Sequence, residues 1–136
     1  MTEFTISITV EEPYETTAAA VRAELAAAGF GVLTEIDLRA TLATKLDVEV
    51  PSRLILGACR PELAYRALQA DPRIAALLPC NVVVGDIGNG QTRVDAFDPN
   101  VMTSFVDSPA LVEIAVDARE RLSCTLTAVA NRPGDR

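Results

Sequence analysis

Cys59 and Cys80 are the side chains in this sequence that most invite a chemical reading. Cys59 stands in "ILGACRPEL" and Cys80 in "LLPCNVVV", each within two residues of a proline and each at the edge of a strand-like run. Twenty residues lie between them, which is far from the close C-x-x-C spacing of a redox motif, so only the fold can bring them together. If the strands carrying them are antiparallel neighbours, the end of one lies beside the start of the other and the thiols are close. If the strands are parallel or apart, the thiols are separated. A nucleophilic thiolate needs a positive neighbour or a helix amino terminus to lower its pKa. Cys59 has both nearby in sequence, beside Arg60 and just before the helix that Pro61 opens. The competing reading is packing, since free cysteine is among the most buried residue types. Asn81, next to Cys80, carries an amide that could orient a ligand or satisfy a strand edge.

Glu35 and Asp37 form a second candidate. Residues two apart on a strand point to the same side, and two like charges together can raise one carboxyl pKa. Such a pair is also the ordinary solvated face of a half-buried strand, or an acceptor for an arginine such as Arg53 on a neighbouring strand. The chain has no histidine, which removes the Ser-His-Asp and Cys-His constellations and the usual neutral-pH proton shuttle. Acid–base chemistry would fall to Glu35, Asp37, Lys45, Asp86, Asp95 or a tyrosine. Structural zinc usually takes four Cys or His ligands, and three cysteines without histidine do not supply them. No metal is expected, and no cofactor is indicated. The glycines of "GDIGNG" lack both the GxxxxGK[ST] and the helix-opening GxGxxG patterns, so turn chemistry accounts for them.

The elements that must position these residues follow from hydrophobic period. Residues 3–11 alternate as a strand with one wet face. Residues 15–28 read as a helix with Ala18, Val21, Leu25 and Ala28 on one side, stopped by Gly29. A second strand is expected over 30–38, a short helix over 40–46 and a third strand over 52–59, where Gly57 suggests a bulge or a close backbone approach. Pro61 opens a helix with Leu63, Ala64, Ala67 and Leu68 on one stripe, and Asp71-Pro72 ends it. Residues 81–98 hold two strands around Gly88-Asn89-Gly90, which is hairpin chemistry. A short helical piece over 100–106 precedes a long helix over 110–129, with Leu111, Ile114 or Ala115, Ala118, Leu122, Leu126 and Val129 as its apolar stripe. Cys124 falls one position beyond that stripe. The order β-α-β-(short α)-β-α-β-β-α indicates an α+β domain with a mainly antiparallel sheet of about five strands packed against helices.

With 136 residues, no linker and no repeat, the chain reads as one domain over 1–136, with 129–136 as a frayed tail. Such a chain buries roughly two-thirds of its unfolded surface and needs no disulfide or structural metal. Aromatic residues make up 4%, so Ala, Val, Leu and Ile must fill the core. Twelve basic against nineteen acidic residues give a net charge of −7, and Lys45 is the single lysine. No basic patch is visible for nucleic acid, and the same charge opposes an anionic membrane. The start "MTEFTISITV" does not resemble a signal peptide, and the longest near-apolar stretch, 75–84, is about half a membrane span. A cytoplasmic protein with free thiols is expected.

The ordered set "PYETTAAAVRAELAAAGFGV", "GFGVLTEID", "ILGACRPELAYRAL", "LLPCNVVV", "VDAFDP" and "SPALVEIAVDARERL" resembles Domain of Unknown Function family 302, small bacterial and archaeal proteins. Its matching positions include Gly29, Gly31, Glu35, Asp37, Gly57, Cys59, Pro61, Pro79, Cys80 and Asn81. The resemblance implies an α+β fold similar to one half of the TATA-binding-protein fold, with a curved sheet backed by helices, and a homodimer. It supplies no catalytic residues, and Cys124 lies outside its pattern. Three readings follow. One is a homodimeric binding or accessory domain with a small-molecule site near Cys59, Cys80 and Asn81, with Glu35 or Asp37 at its rim. Another is a thiol-dependent redox or sulfur-handling protein using Cys59 or Cys80. In the third, both cysteines are core and the protein is purely structural.

Overall fold

A computed structural model of the chain describes residues 3–132. Its elements are β1 (Thr5–Val10), α1 (Tyr14–Ala27), β2 (Gly31–Asp37), α2 (Leu38–Leu46), β3 (Arg53–Cys59), α3 (Pro61–Ala70), β4 (Cys80–Gly88), β5 (Gln91–Phe97) and α4 (Pro109–Ala130). Two short 3-10 helices, Pro72–Leu77 and Pro99–Ser104, precede β4 and α4. The strands form one five-stranded sheet in the order β1-β5-β4-β3-β2, with every neighbouring pair antiparallel. This is the α+β architecture that the order of elements indicates.

The hairpin lies where its turn residues put it. Gly88 pairs with Gln91, and Asn89 and Gly90 between them have φ of 58° and 73°. Positive φ at both central positions is the turn whose twist matches two antiparallel strands. Because β1 and β2 are the two edges of the sheet, α1 must cross the sheet to connect them. It does so with Thr17, Ala18, Val21 and Leu25 buried, small enough at Ala18 to lie close. Gly29, at φ 85°, turns the chain out of α1. Arg60 Nη1 donates to the Ala28 carbonyl at 2.8 Å, which satisfies an acceptor that a helix end leaves open.

The long helix α4 starts at the Ser108 hydroxyl, which accepts from the Leu111 amide at 3.3 Å, and its stripe is buried from Leu111 to Val129. Its second half packs with α1 and the sheet, where Leu122, Leu126 and Val129 share a core with Leu25, Leu56, Val82, Val84 and Val94. Its first half closes a second core, in which Leu111, Ile114 and Ala118 meet Leu63, Ala67, Ile74 and Met102. Each fully buried leucine here contributes roughly 1.5–3 kcal/mol.

Several details differ from the sequence reading. Residues 72–77 form an unexpected 3-10 turn, because the Asp71 carboxylate accepts from the Arg73 amide at 2.9 Å and Ile74 drops into the second core. Helix α2 begins at Leu38 instead of residue 40, since Asp37 at the very end of β2 accepts from the Ala40 amide at 3.0 Å and caps it. The piece expected over 100–106 is a 3-10 helix, Pro99–Ser104, capped by Asp98. Leu68 is exposed, so the inner side of α3 is narrower than its apolar stripe. Val129 and Ala130 belong to α4, and the last part of the expected tail, 133–136, lies outside the described residues.

Strand register decides what each face of the sheet presents. On the helix side run the rows Ile8–Val94–Val84–Leu54–Asp37 and Ile6–Ala96–Val82–Leu56–Glu35. On the opposite face run Ser7–Asp95–Val83–Ile55–Ile36 and Thr9–Arg93–Gly85–Arg53, with Asn81–Gly57–Thr34 beside them. Gly57 is a close-approach glycine: a Cβ there would run into Thr34 Oγ1 and would lie 2.7 Å from Pro79 Cγ. The register of β2 shifts between Val32 and Thr34, opposite Ala58 and Gly57, so a bulge and a close approach occur together. Gly57→Ala is therefore expected to destabilise the fold by about 1–3 kcal/mol, the usual cost of overpacking. Urea unfolding reads this, and an unchanged midpoint would show that the contact at Gly57 is not tight.

Candidate functional site

Strands β3 and β4 are antiparallel neighbours with Ala58 opposite Cys80, so the two cysteines do come to the same end of the sheet. Both line one cavity with Phe30, Leu63, Met102 and Ile114. Its volume is about 30 Å³, about the share of one water molecule in the liquid. Apolar side chains dominate the lining, and nothing larger than a water fits. Cys80 is buried, Cys59 half-buried, and both are free thiols.

The electrostatics of this cavity favour the protonated thiol. Burial pushes the Cys80 pKa up to about 11, and the neighbouring Cys59 acts in the same direction. Burial also raises Cys59. Arg60 does not offset this, because its guanidinium serves the Ala28 carbonyl and approaches Glu62 Oε2 at 3.4 Å. The sequence neighbourhood that suggested an activated Cys59 is thus used to close α1. Cys124 is exposed on α4 and lines neither this cavity nor the groove described below.

The carboxylates lie elsewhere. Glu35 and Asp37 both end helix-side rows at the β2 edge, sharing a side as expected. Glu35 Oε1 accepts from Arg22 Nε and Nη2 at 3.0 and 2.6 Å. Both partners are nearly half exposed, at 46% and 47%, so the pair contributes at most about 1 kcal/mol. Asp37 caps α2. Arg53 is not their partner: it sits on the opposite face, across from Gly85.

Asn81 follows Cys80 and is turned the other way by the pleat. It is exposed and lines a hollow of about 410 Å³ with Phe4, Leu78, Pro79, Val83 and Phe97. A second hollow of about 570 Å³ is lined by Arg53, Gly85, Ile87 and Arg93. Phe4, Thr5, Val83 and Asp95 belong to both, so the two form one groove across the sheet. Arg93 Nε donates to Asp95 Oδ1 at 2.9 Å, and Asp95 Oδ1 also accepts from the Ser7 hydroxyl. The structure therefore joins Cys59 with Cys80 and separates both from Asn81, Glu35 and Asp37. Sequence reasoning did not single out Phe4, Arg53, Val83, Arg93 or Phe97 as groove residues. The period-2 alternation of three strands contains that signal, but only strand order and register bring it together.

Among the described residues, no three Cys, Asp or Glu side chains gather closely enough to hold a metal ion, and no helix is long and apolar enough to cross a membrane. The raised Cys80 pKa has a definite sign in stability. The folded state holds the thiol neutral up to about 11 while the unfolded chain ionises near 9.0. The contribution is complete below pH 9 and is lost as pH rises to 11, roughly 2–3 kcal/mol in all. Wild type is expected to lose stability relative to Cys80→Ala across that window, measured by urea unfolding at each pH. Parallel curves for the two proteins would show that Cys80 is not held neutral by burial.

Comparison with known proteins agrees with this architecture. A family model described as "Domain of unknown function DUF302" matches residues 6–129. No curated protein matches the chain. Among solved structures, the chain is similar to an uncharacterized conserved DUF302 protein from Bacillus stearothermophilus. The two are 29% identical with a TM-score of 0.86, over 94% of this chain and 99% of that one. A family match over nearly the whole domain, together with the same fold at that identity, shows that this chain belongs to the DUF302 family.

Proposed function

We propose that the chain is a cytoplasmic binding or accessory domain whose ligand site is the groove on the sheet face opposite α1 and α4. The observation that carries this reading is the difference in room between the two places where polar and thiol groups gather. The cavity at Cys59 and Cys80 holds about 30 Å³, whereas the hollow at Asn81 alone holds about 410 Å³, within the range of small-molecule sites. Its apolar walls with a few polar groups at Asn81, Thr5 and Asp95 have the usual composition of a ligand cleft. The thiol-dependent alternative has burial against it at both cysteines.

The reading includes a homodimer and no nucleic-acid partner. A net charge of −7 opposes binding to phosphate backbones, and fold likeness alone supplies no such function. Light scattering of the purified chain tests the dimer, which must read twice the chain mass.

An NMR screen of small amphipathic compounds tests the groove. Binders are expected to shift the amides of Asn81, Val83 and Phe97. Asn81→Trp, a change at an exposed position, is expected to weaken them by roughly tenfold or more, about 1.4 kcal/mol. Compounds that move only the surroundings of Cys59 and Cys80, or bind Asn81→Trp as well as wild type, would overturn the assignment.

A further inference from the structure

Across the middle of the groove, Arg53, Gly85 and Arg93 are direct cross-strand partners on β3, β4 and β5. Neighbouring strands lie about 4.8 Å apart, so the two arginine Cα atoms are about 10 Å apart with Gly85 between them. The Arg53 guanidinium lies over that glycine, and Arg93, turned toward Asp95, lines the same hollow. Gly85 is not in the left-handed region that would require glycine, and a Cβ there would touch Arg53 Nε at 3.4 Å. The room its missing side chain leaves is covered by the Arg53 guanidinium, beneath which Gly85 is buried.

The charge balance of the two arginines differs. In a chain with nineteen acidic residues to twelve basic ones, Arg22, Arg60, Arg73, Arg93, Arg119, Arg121 and Arg132 are all ion-paired. The Arg53 side chain makes no hydrogen bond or ion pair among the described residues. Arg93 is anchored through Nε alone to the two oxygens of Asp95, at 2.9 and 3.1 Å, which leaves its terminal nitrogens for another acceptor. Guanidinium forks match a carboxylate geometrically. Glu3 and Asp95 also line this hollow, and two carboxylates already present disfavour a dianion such as phosphate over a single negative charge. The adjoining hollow offers Phe4, Leu78, Pro79, Val83 and Phe97 to an apolar group.

We infer that the groove takes an amphipathic monocarboxylate, its carboxylate on the guanidinium of Arg53 and the terminal nitrogens of Arg93 and its apolar part on Val83, Phe97 and Pro79. This rests on the groove being the ligand site and adds the chemical class of the ligand. The test is an NMR titration of wild type and Arg53→Gln with decanoate and with decan-1-ol, which shares the chain but not the charge. Decanoate is expected to shift Gly85 and Arg93 as well as Val83 and Phe97, to bind wild type roughly tenfold or more tighter than decan-1-ol, and to lose that margin in Arg53→Gln. Equal binding of both compounds in the groove would overturn the carboxylate assignment and leave the groove standing. A decanoate preference unchanged in Arg53→Gln would overturn the role of Arg53. If neither compound shifts Val83 or Phe97 in wild type, the inference and the groove reading both fall.

Discussion

Leu122, Leu126 and Val129 share one core with Val82 and Val84 of β4 and Val94 of β5, and Leu111, Ile114 and Ala118 of the same helix share another with α3 and Met102. The two cores are joined through α4, so the position of that helix fixes both the back of the sheet and the end where Cys59 and Cys80 lie. A chain with so few aromatic residues cannot fill wide gaps. It fills its interior instead with close-set Ala, Val and Leu, and α1 crosses the sheet at Ala18 and Val21. Dense packing of this kind leaves little free volume on the helix side, which is why the thiol cavity is so small.

The pleat of β4 then sorts adjacent residues into different surroundings. Cys80, Val82 and Val84 go inward and are buried, while Asn81 and Val83 face the groove. A one-residue change of register would exchange the two sets. The register is fixed by the β4–β5 turn at Asn89 and Gly90 and by the burial of the inward set. A thiol and an amide that are neighbours in sequence are thereby assigned to unrelated environments, one dry and neutral, the other wet and lined with charge. The binding surface follows from what the helices leave uncovered.

Much of the fold was legible from the residues. The alternation in β1, the Asn89-Gly90 turn, the apolar stripe of α4 and the stop at Gly29 each depend on local chemistry, and each is found where expected. The 3-10 turn at Pro72–Leu77 was not legible, because it depends on Ile74 finding a core built by α3 and α4. The candidate site was legible only in part. Placing Cys59 near Cys80 required strand order, and recognising the pairing of Arg22 with Glu35 required knowing that α1 crosses to the β2 edge. Arg53, Gly85 and Arg93 are scattered over forty-one positions of sequence and become a row only through two antiparallel registers.

Helix α2 buries no residue at all, although Asp37 caps its start and the Arg39 guanidinium reaches the Ser52 hydroxyl at 3.2 Å. The segment from Leu38 to Ser52 thus connects two adjacent strands without contributing to either core. Lengthening such a connection adds only about 0.6 kcal/mol for each doubling in length. It is the place where this domain can accept inserted sequence, even a grafted peptide or a second folded unit, while the sheet, both cores and the groove keep their shape.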